Sequence, residues 1–200
     1  MVSDRFRPIH WFFALVLVLI PCLTGCDLPQ VSAEERIFLN LNLDFLSEYQ
    51  LPKQEFQSTP VGGLSGITYD RQINQFYVVS DDRSDFAPAR FYTLNMVLDA
   101  SNPKAPKIQQ IDLQSVTTIT NEDGKPYAKG EVDPEGIALS PLNTLFITSE
   151  GIASKGIPPF VREFDLQTGR WKRSLNLPPR YTPKSEDGKL VQGVGDNLGF

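Results

Sequence analysis

Two segments of this chain say nearly the same thing about 70 residues apart. "GLSGITYDRQINQFYVVSDD" is echoed by "DPEGIALSPLNTLFITSEG". Gly66-Ile67 matches Gly136-Ile137, "QFYVVSD" matches "TLFITSE", and Asp81 falls where Glu150 does. A repeat of this length implies a unit that buries its apolar face against a neighbouring copy of itself. Each copy reads as strand, turn, strand. "QFYVVS" and "TLFITS" are β-branched and aromatic runs, and "DRQIN" supplies the intervening turn in the first copy.

Two further strands follow each pair. After the first come "RFYTLNMVLD" and "KIQQIDLQSV"; after the second comes "FVREFDLQTGRWKRSLNL", with a turn at Gln167, Thr168 and Gly169. Four consecutive strands with polar links form an antiparallel meander. Repeated four-stranded sheets are the construction of β-propellers, whose blades take about 40 to 50 residues. The expected class is therefore all-β and β-propeller-like, with about two to three four-stranded antiparallel blades present. "GDNLGF" reads as the opening of a further repeat, so the expectation is the N-terminal part of a longer propeller.

Upstream of the repeat, "IFLNLNLDF" alternates with period two, placing Ile37, Leu39, Leu41, Leu43 and Phe45 on one face. The alternation predicts a half-buried strand over residues 37–45, extending as far as Pro52. Before it, Arg5 and Arg7 precede an apolar run from Trp11 to Ile20, too short for a comfortable membrane span. "LTGC" at the end of that run resembles a bacterial lipobox, which predicts lipidation of Cys26. The expected organisation is a lipoprotein signal peptide over 1–25, a lipidated N-terminus and tether over 26–36, and the β domain over 37–200. The expected location is membrane-anchored through Cys26, on the periplasmic or extracellular face.

Processing at Cys26 removes chemistry. His10 is the only histidine and Cys22 the only other cysteine, and both precede Cys26. The remaining chain has no imidazole and no free thiol, which excludes Ser-His-Asp and Cys-His catalysis and zinc sites built on those ligands. The full sequence has a formal net charge of -5, near -6 once Arg5, Arg7 and Asp4 are removed, and it lacks the clustered Lys and Arg of a nucleic-acid binder. Divalent cations suit it better.

The acids at equivalent repeat positions are the candidate site: Asp81, Asp82 and Asp85 after the first apolar run, Asp133 and Glu135 before the second, and Glu150 at its end. Strand ends of successive blades converge on one rim, so these carboxylates are expected to meet and to hold Ca²⁺ or Mg²⁺ through Asp81, Asp82, Asp133, Glu135 and Glu150. Glu135 and Arg83 are the expected catalytic pair, and Arg83 and Arg90 the expected clamps on a phosphate. The same acids also read as turn residues that accept nearby backbone amides, and Arg83 as a partner of Asp81. Gly62, Gly63 and Gly66 lack the Lys-Ser/Thr of a phosphate loop and read as a tight strand entry. Trp171 and Tyr92 read as packing residues.

Taken together, "TPVGGLSGITYD", "FYVVSDDR", "DPEGIAL", "ITSEG", "EFDLQTG" and "DNLGF" resemble the phytase-like family, also described as the esterase-like activity of phytase. The resemblance covers roughly residues 43–200. It implies a propeller-like fold and hydrolysis of a small phosphoester, phosphomono- or phosphodiester, supported by clustered acids. A non-catalytic binding propeller, or an inactive remnant of the hydrolase, is the alternative that the fold alone leaves open.

Overall fold

The computed structural model describes residues 43–152 and 155–181, together with the backbone of two short strands at 184–186 and 189–191. The expected signal peptide, Cys26 and the expected tether lie outside the described residues, as do residues 37–42 of the expected first strand. The described end of that segment, residues 43–52, is not a strand. Leu43 is 98% and Phe45 81% exposed, so the alternation there buries nothing among the described residues. The unit beginning at Leu46 carries all the described strands.

The chain first makes a hairpin of β1 (Gln54–Phe56) and β2 (Thr59–Val61). Two four-stranded antiparallel meanders follow in the expected order. The first runs β3 (Leu64–Asp70), β4 (Gln75–Ser80), β5 (Arg90–Asp99) and β6 (Lys107–Thr118). The second runs β7 (Pro134–Leu139), β8 (Thr144–Ser149), β9 (Phe160–Asp165) and β10 (Trp171–Leu175). A 3₁₀ turn at Pro179–Tyr181 and a hairpin of β11 (Lys184–Glu186) and β12 (Lys189–Val191) come last. No α-helix occurs among the described residues.

The sequence repeat is a repeat of local geometry. Asn74 and Asn143 each take a positive φ, 54° and 55°, immediately before β4 and β8, a conformation asparagine tolerates because its side chain can bond locally. Asp70 accepts the Gln72 N–H in the first turn, and Ser140 Oγ accepts the Leu142 and Thr144 N–H groups in the second. Both β3/β4 and β7/β8 carry a register shift near the entry of the first strand, between Leu64 and Gly66 and between Pro134 and Ile137. Such a shift bends the strand and re-aims the side chains beside it.

Tyr77, Val79 and Phe91 from the first sheet meet Leu145, Ile147 and Phe164 from the second in one core. Each fully buried side chain of this size contributes about 1.5–3 kcal/mol, so the sheets are held together mainly by this layer. Tyr92 is wholly buried and Trp171 packs against the core, as their strand positions predict. As edge strands of their sheets, β3 and β7 lie side by side in the same direction. Ser65 Oγ donates to Glu135 O at 2.8 Å, and the Leu139 N–H donates to Thr68 Oγ1 at 3.1 Å. Gly66 makes that approach possible, since a Cβ there would stand 2.7 Å from Glu135 O.

Candidate functional site

Asp81 and Glu150 begin the loops that leave β4 and β8, and their backbones are held alike. Asp81 N donates to Gly63 O at 2.7 Å, and Glu150 N donates to Asp133 O at 3.1 Å. Gly63 and Asp133 are therefore equivalent points, each just before the first strand of its sheet. Gly63 has φ +56°, and a Cβ there would collide with Asp81 Oδ1, so glycine is the residue that lets the Asp81 carboxylate sit against the strand entry. Ser80 and Ser149, the last residues of β4 and β8, tie the same corners down. Ser80 Oγ donates to Gly62 O, and Ser149 Oγ accepts from Asp133 N.

Because β3 and β7 are adjacent, these corners meet. Asp133, Glu135 and Glu150 each bring one carboxylate oxygen within 4.8 Å of the others. Asp133 is buried, and the two glutamates are half-buried. Glu135 is pushed above its ordinary carboxyl value. Burial is the largest cause, a hydrogen bond with Ser65 opposes it, and the charges of Asp133, Glu150 and Asp81 add to the rise. Four of the expected acids thus act on one another, and Asp81 joins the trio through its field.

Arg83 binds Asp133 with two donors, Nε to Oδ1 at 2.8 Å and Nη2 to Oδ2 at 2.6 Å. Its partner is thus Asp133. That hydrogen bond, against some desolvation and helped by the charges of Asp133, Asp85 and Glu135, raises the guanidinium further above its ordinary value. Half of the Arg83 side chain remains exposed.

Asp82 and Arg90 pair with each other. Arg90 Nη1 donates to Asp82 Oδ2 at 2.8 Å, Nη2 to Pro60 O at 2.7 Å and Nε to the Tyr92 hydroxyl at 2.7 Å, with the guanidinium buried. Asp82 also accepts the N–H groups of Asp85, Phe86 and Ala87. Burial pushes the Asp82 carboxyl up, but Arg90 and these three amides outweigh it and hold the carboxyl below its ordinary value. Asp85 bridges to Lys129 at the surface.

An open cleft of about 660 Å³ lies over this corner, with Lys53, Asp81, Arg83, Phe86, Asp133 and Glu135 among its walls. The donor set fits a hard cation. Three carboxylates, with no nitrogen or sulfur ligand among them, suit calcium or magnesium. Both Asp133 oxygens already accept from Arg83, and each retains a second lone pair.

Sequence reasoning did not single out Ser65, Ser149, Lys53 or Phe86. Ser65 had a findable signal, since it occupies the repeat position of Glu135. Lys53 and Phe86 sit outside the repeat.

Neither the curated proteins nor the solved structures contain a match to this chain. One family model does match, described as phytase-like, esterase-like activity of phytase, and it spans residues 59–200, which include both sheets and every acid of the cleft. A chain matched over that much of its length, on the segments that build these two sheets and their shared corner, belongs to the phytase-like family.

Proposed function

We propose that this protein is a lipid-anchored, extracytoplasmic hydrolase of phosphoesters that works with a bound divalent cation, calcium by preference. The observation that carries the reading is the convergence of Asp133, Glu135 and Glu150 oxygens within 4.8 Å, with Asp133 and Glu135 on the wall of an open cleft of a phytase-like chain.

Asp133, Glu135 and Glu150 would hold the cation, with Asp81 adding to the field that attracts it. A cation there supplies positive charge against the phosphoryl oxygens and makes a nearby water more acidic. Glu135, half-buried on the wall of the cleft, is the group placed to take a proton from water. The water oxygen forms the new bond to phosphorus while the bond to the leaving oxygen breaks. The proton that Glu135 takes from water passes to that leaving oxygen. Arg83, anchored on Asp133 and half exposed, stands where it can face the charge that builds on the phosphoryl group. Asp82 and Arg90 enter this reading as the support of the loop that carries Arg83.

The membrane half of the reading rests on the sequence, where "LTGC" ends an apolar run led by two arginines. Acyl chains on Cys26 would contribute about 0.8 kcal/mol per buried CH₂. Labelling with radioactive palmitate in a bacterial host, lost in Cys26→Ala, is the expected result; equal labelling of the variant would remove the anchor.

Turnover of a chromogenic phosphodiester with calcium, then with chelator, tests the hydrolase. Activity that needs the cation and drops at least a hundredfold in Glu135→Gln supports it. Binding of the cation without turnover would instead favour a non-catalytic module.

A further inference from the structure

The loop between β4 and β5 is held more firmly than an exposed loop requires. One buried carboxylate, Asp82, accepts three successive backbone amides and pairs with a buried arginine. Ser84 takes φ 59°, and its hydroxyl accepts the Ala89 N–H, closing the loop from the other side. This scaffold displays Phe86, whose own N–H is one of the three amides and which is 85% exposed as a residue beside the cleft. A lone exposed phenylalanine is unremarkable on a mobile surface. On a loop tied down at its own amide, the backbone of Phe86 is fixed and its ring stays out of the core, on the wall of the cleft that contains Arg83, Asp133 and Glu135. Pro60 and Val61 line the same cleft and extend its apolar part.

The charges of the cleft say what else the ligand must be. Carboxylates outnumber cations among its walls, and two of the cations, Arg83 and Arg90, are already paired with Asp133 and Asp82. One bound divalent cation offsets part of that negative charge, enough for a ligand with a single negative charge. A ligand bearing many phosphates would crowd its charge against Asp81, Asp85 and Glu135.

The geometry points to Phe86 as the residue that selects the substrate, stacking on a flat apolar group of a singly charged phosphodiester. The inference rests on the hydrolase reading above and narrows it. The cleft accepts diesters with an aromatic or similarly flat retained group, and disfavours highly phosphorylated polyols.

The test compares two diesters with the same leaving group, p-nitrophenyl phenyl phosphate and p-nitrophenyl methyl phosphate, in wild type and Phe86→Ser with calcium. Stacking of this kind is worth roughly two- to tenfold. The expected result is a kcat/KM ratio of that size favouring the phenyl diester, falling toward one in Phe86→Ser through KM. An unchanged ratio in the variant overturns the inference and leaves the hydrolase standing. If neither diester turns over, the hydrolase reading fails, and calorimetry with diphenyl phosphate, dimethyl phosphate and inositol hexakisphosphate still decides the inference. Tighter binding of diphenyl phosphate, reduced in Phe86→Ser, supports it; equal binding of the two diesters, or tighter binding of inositol hexakisphosphate, overturns it. Phe86 is almost fully exposed, and its backbone amide survives the substitution, so the variant folds as the wild type does.

Discussion

Arg83 grips Asp133 through both carboxylate oxygens, at 2.8 and 2.6 Å, across the corner where the two sheets meet. Asp133 is buried while Arg83 is half exposed, so the pair joins an expensive buried charge to a partner that solvent still screens. Replacing the partner strands the carboxylate. Arg83→Gln should lose about 1–2 kcal/mol in urea unfolding with chelator present, less than a fully buried pair would lose. Saturating calcium should return part of that loss. An unaltered midpoint in chelator would contradict the assignment.

Glu135 gives a pH dependence of known sign. Its folded carboxyl lies above the unfolded value, near 4.5, so the folded state binds this proton more tightly. The group therefore costs stability once pH rises through the folded value, and the cost disappears below about 4.5. In chelator, Glu135→Gln should melt higher than wild type at neutral pH, and the gap should close as pH falls toward that value. A gap that widens on acidification would mean the carboxyl is held down instead.

Asp82 behaves in the opposite sense. Its folded carboxyl lies below its ordinary value, so its contribution is present above the unfolded pKa and is lost as pH falls through the folded one. Asp82→Asn should cost about 3–5 kcal/mol, because it leaves Arg90 buried without its counter-charge. Calcium should not restore the loss. A calcium affinity lower in Asp82→Asn than in wild type would move Asp82 from loop support to cation ligand.

Gly66 tests the contact that brings the acids together. A Cβ at this position would stand 2.7 Å from Glu135 O and 2.9 Å from Ile137 N, both backbone atoms that cannot rotate away. Gly66→Ala should cost about 1–3 kcal/mol and weaken calcium binding, as β3 and β7 are forced apart. Stability and affinity both equal to wild type would show that the strands are not packed so closely.

Much of this was legible in the residues. The four strands of each sheet follow from β-branched and aromatic runs punctuated by turn residues, and β4 and β5 begin and end where "QFYVVS" and "RFYTLNMVLD" do. The repeat also placed Asp81 and Glu150 at like positions, because strand pairing enforces one register on both copies. The segment at 43–45 misled, since alternation records which side chains share a face but not whether a neighbour covers it. The pairings of the charged groups were likewise hidden. Whether Arg83 meets Asp81 or Asp133 depends on how β3 lies against β7, a contact between residues far apart in sequence that local pattern does not encode.

Calorimetric titration of calcium into the protein, with Asp133→Asn/Glu135→Gln as the comparison, addresses the central claim most directly. The account predicts saturable binding to the wild type that falls at least tenfold in the double variant, while Lys129→Ala, whose ammonium pairs with the outlying Asp85, binds as wild type does. Absence of saturable binding, or equal affinity in the double variant, would contradict it.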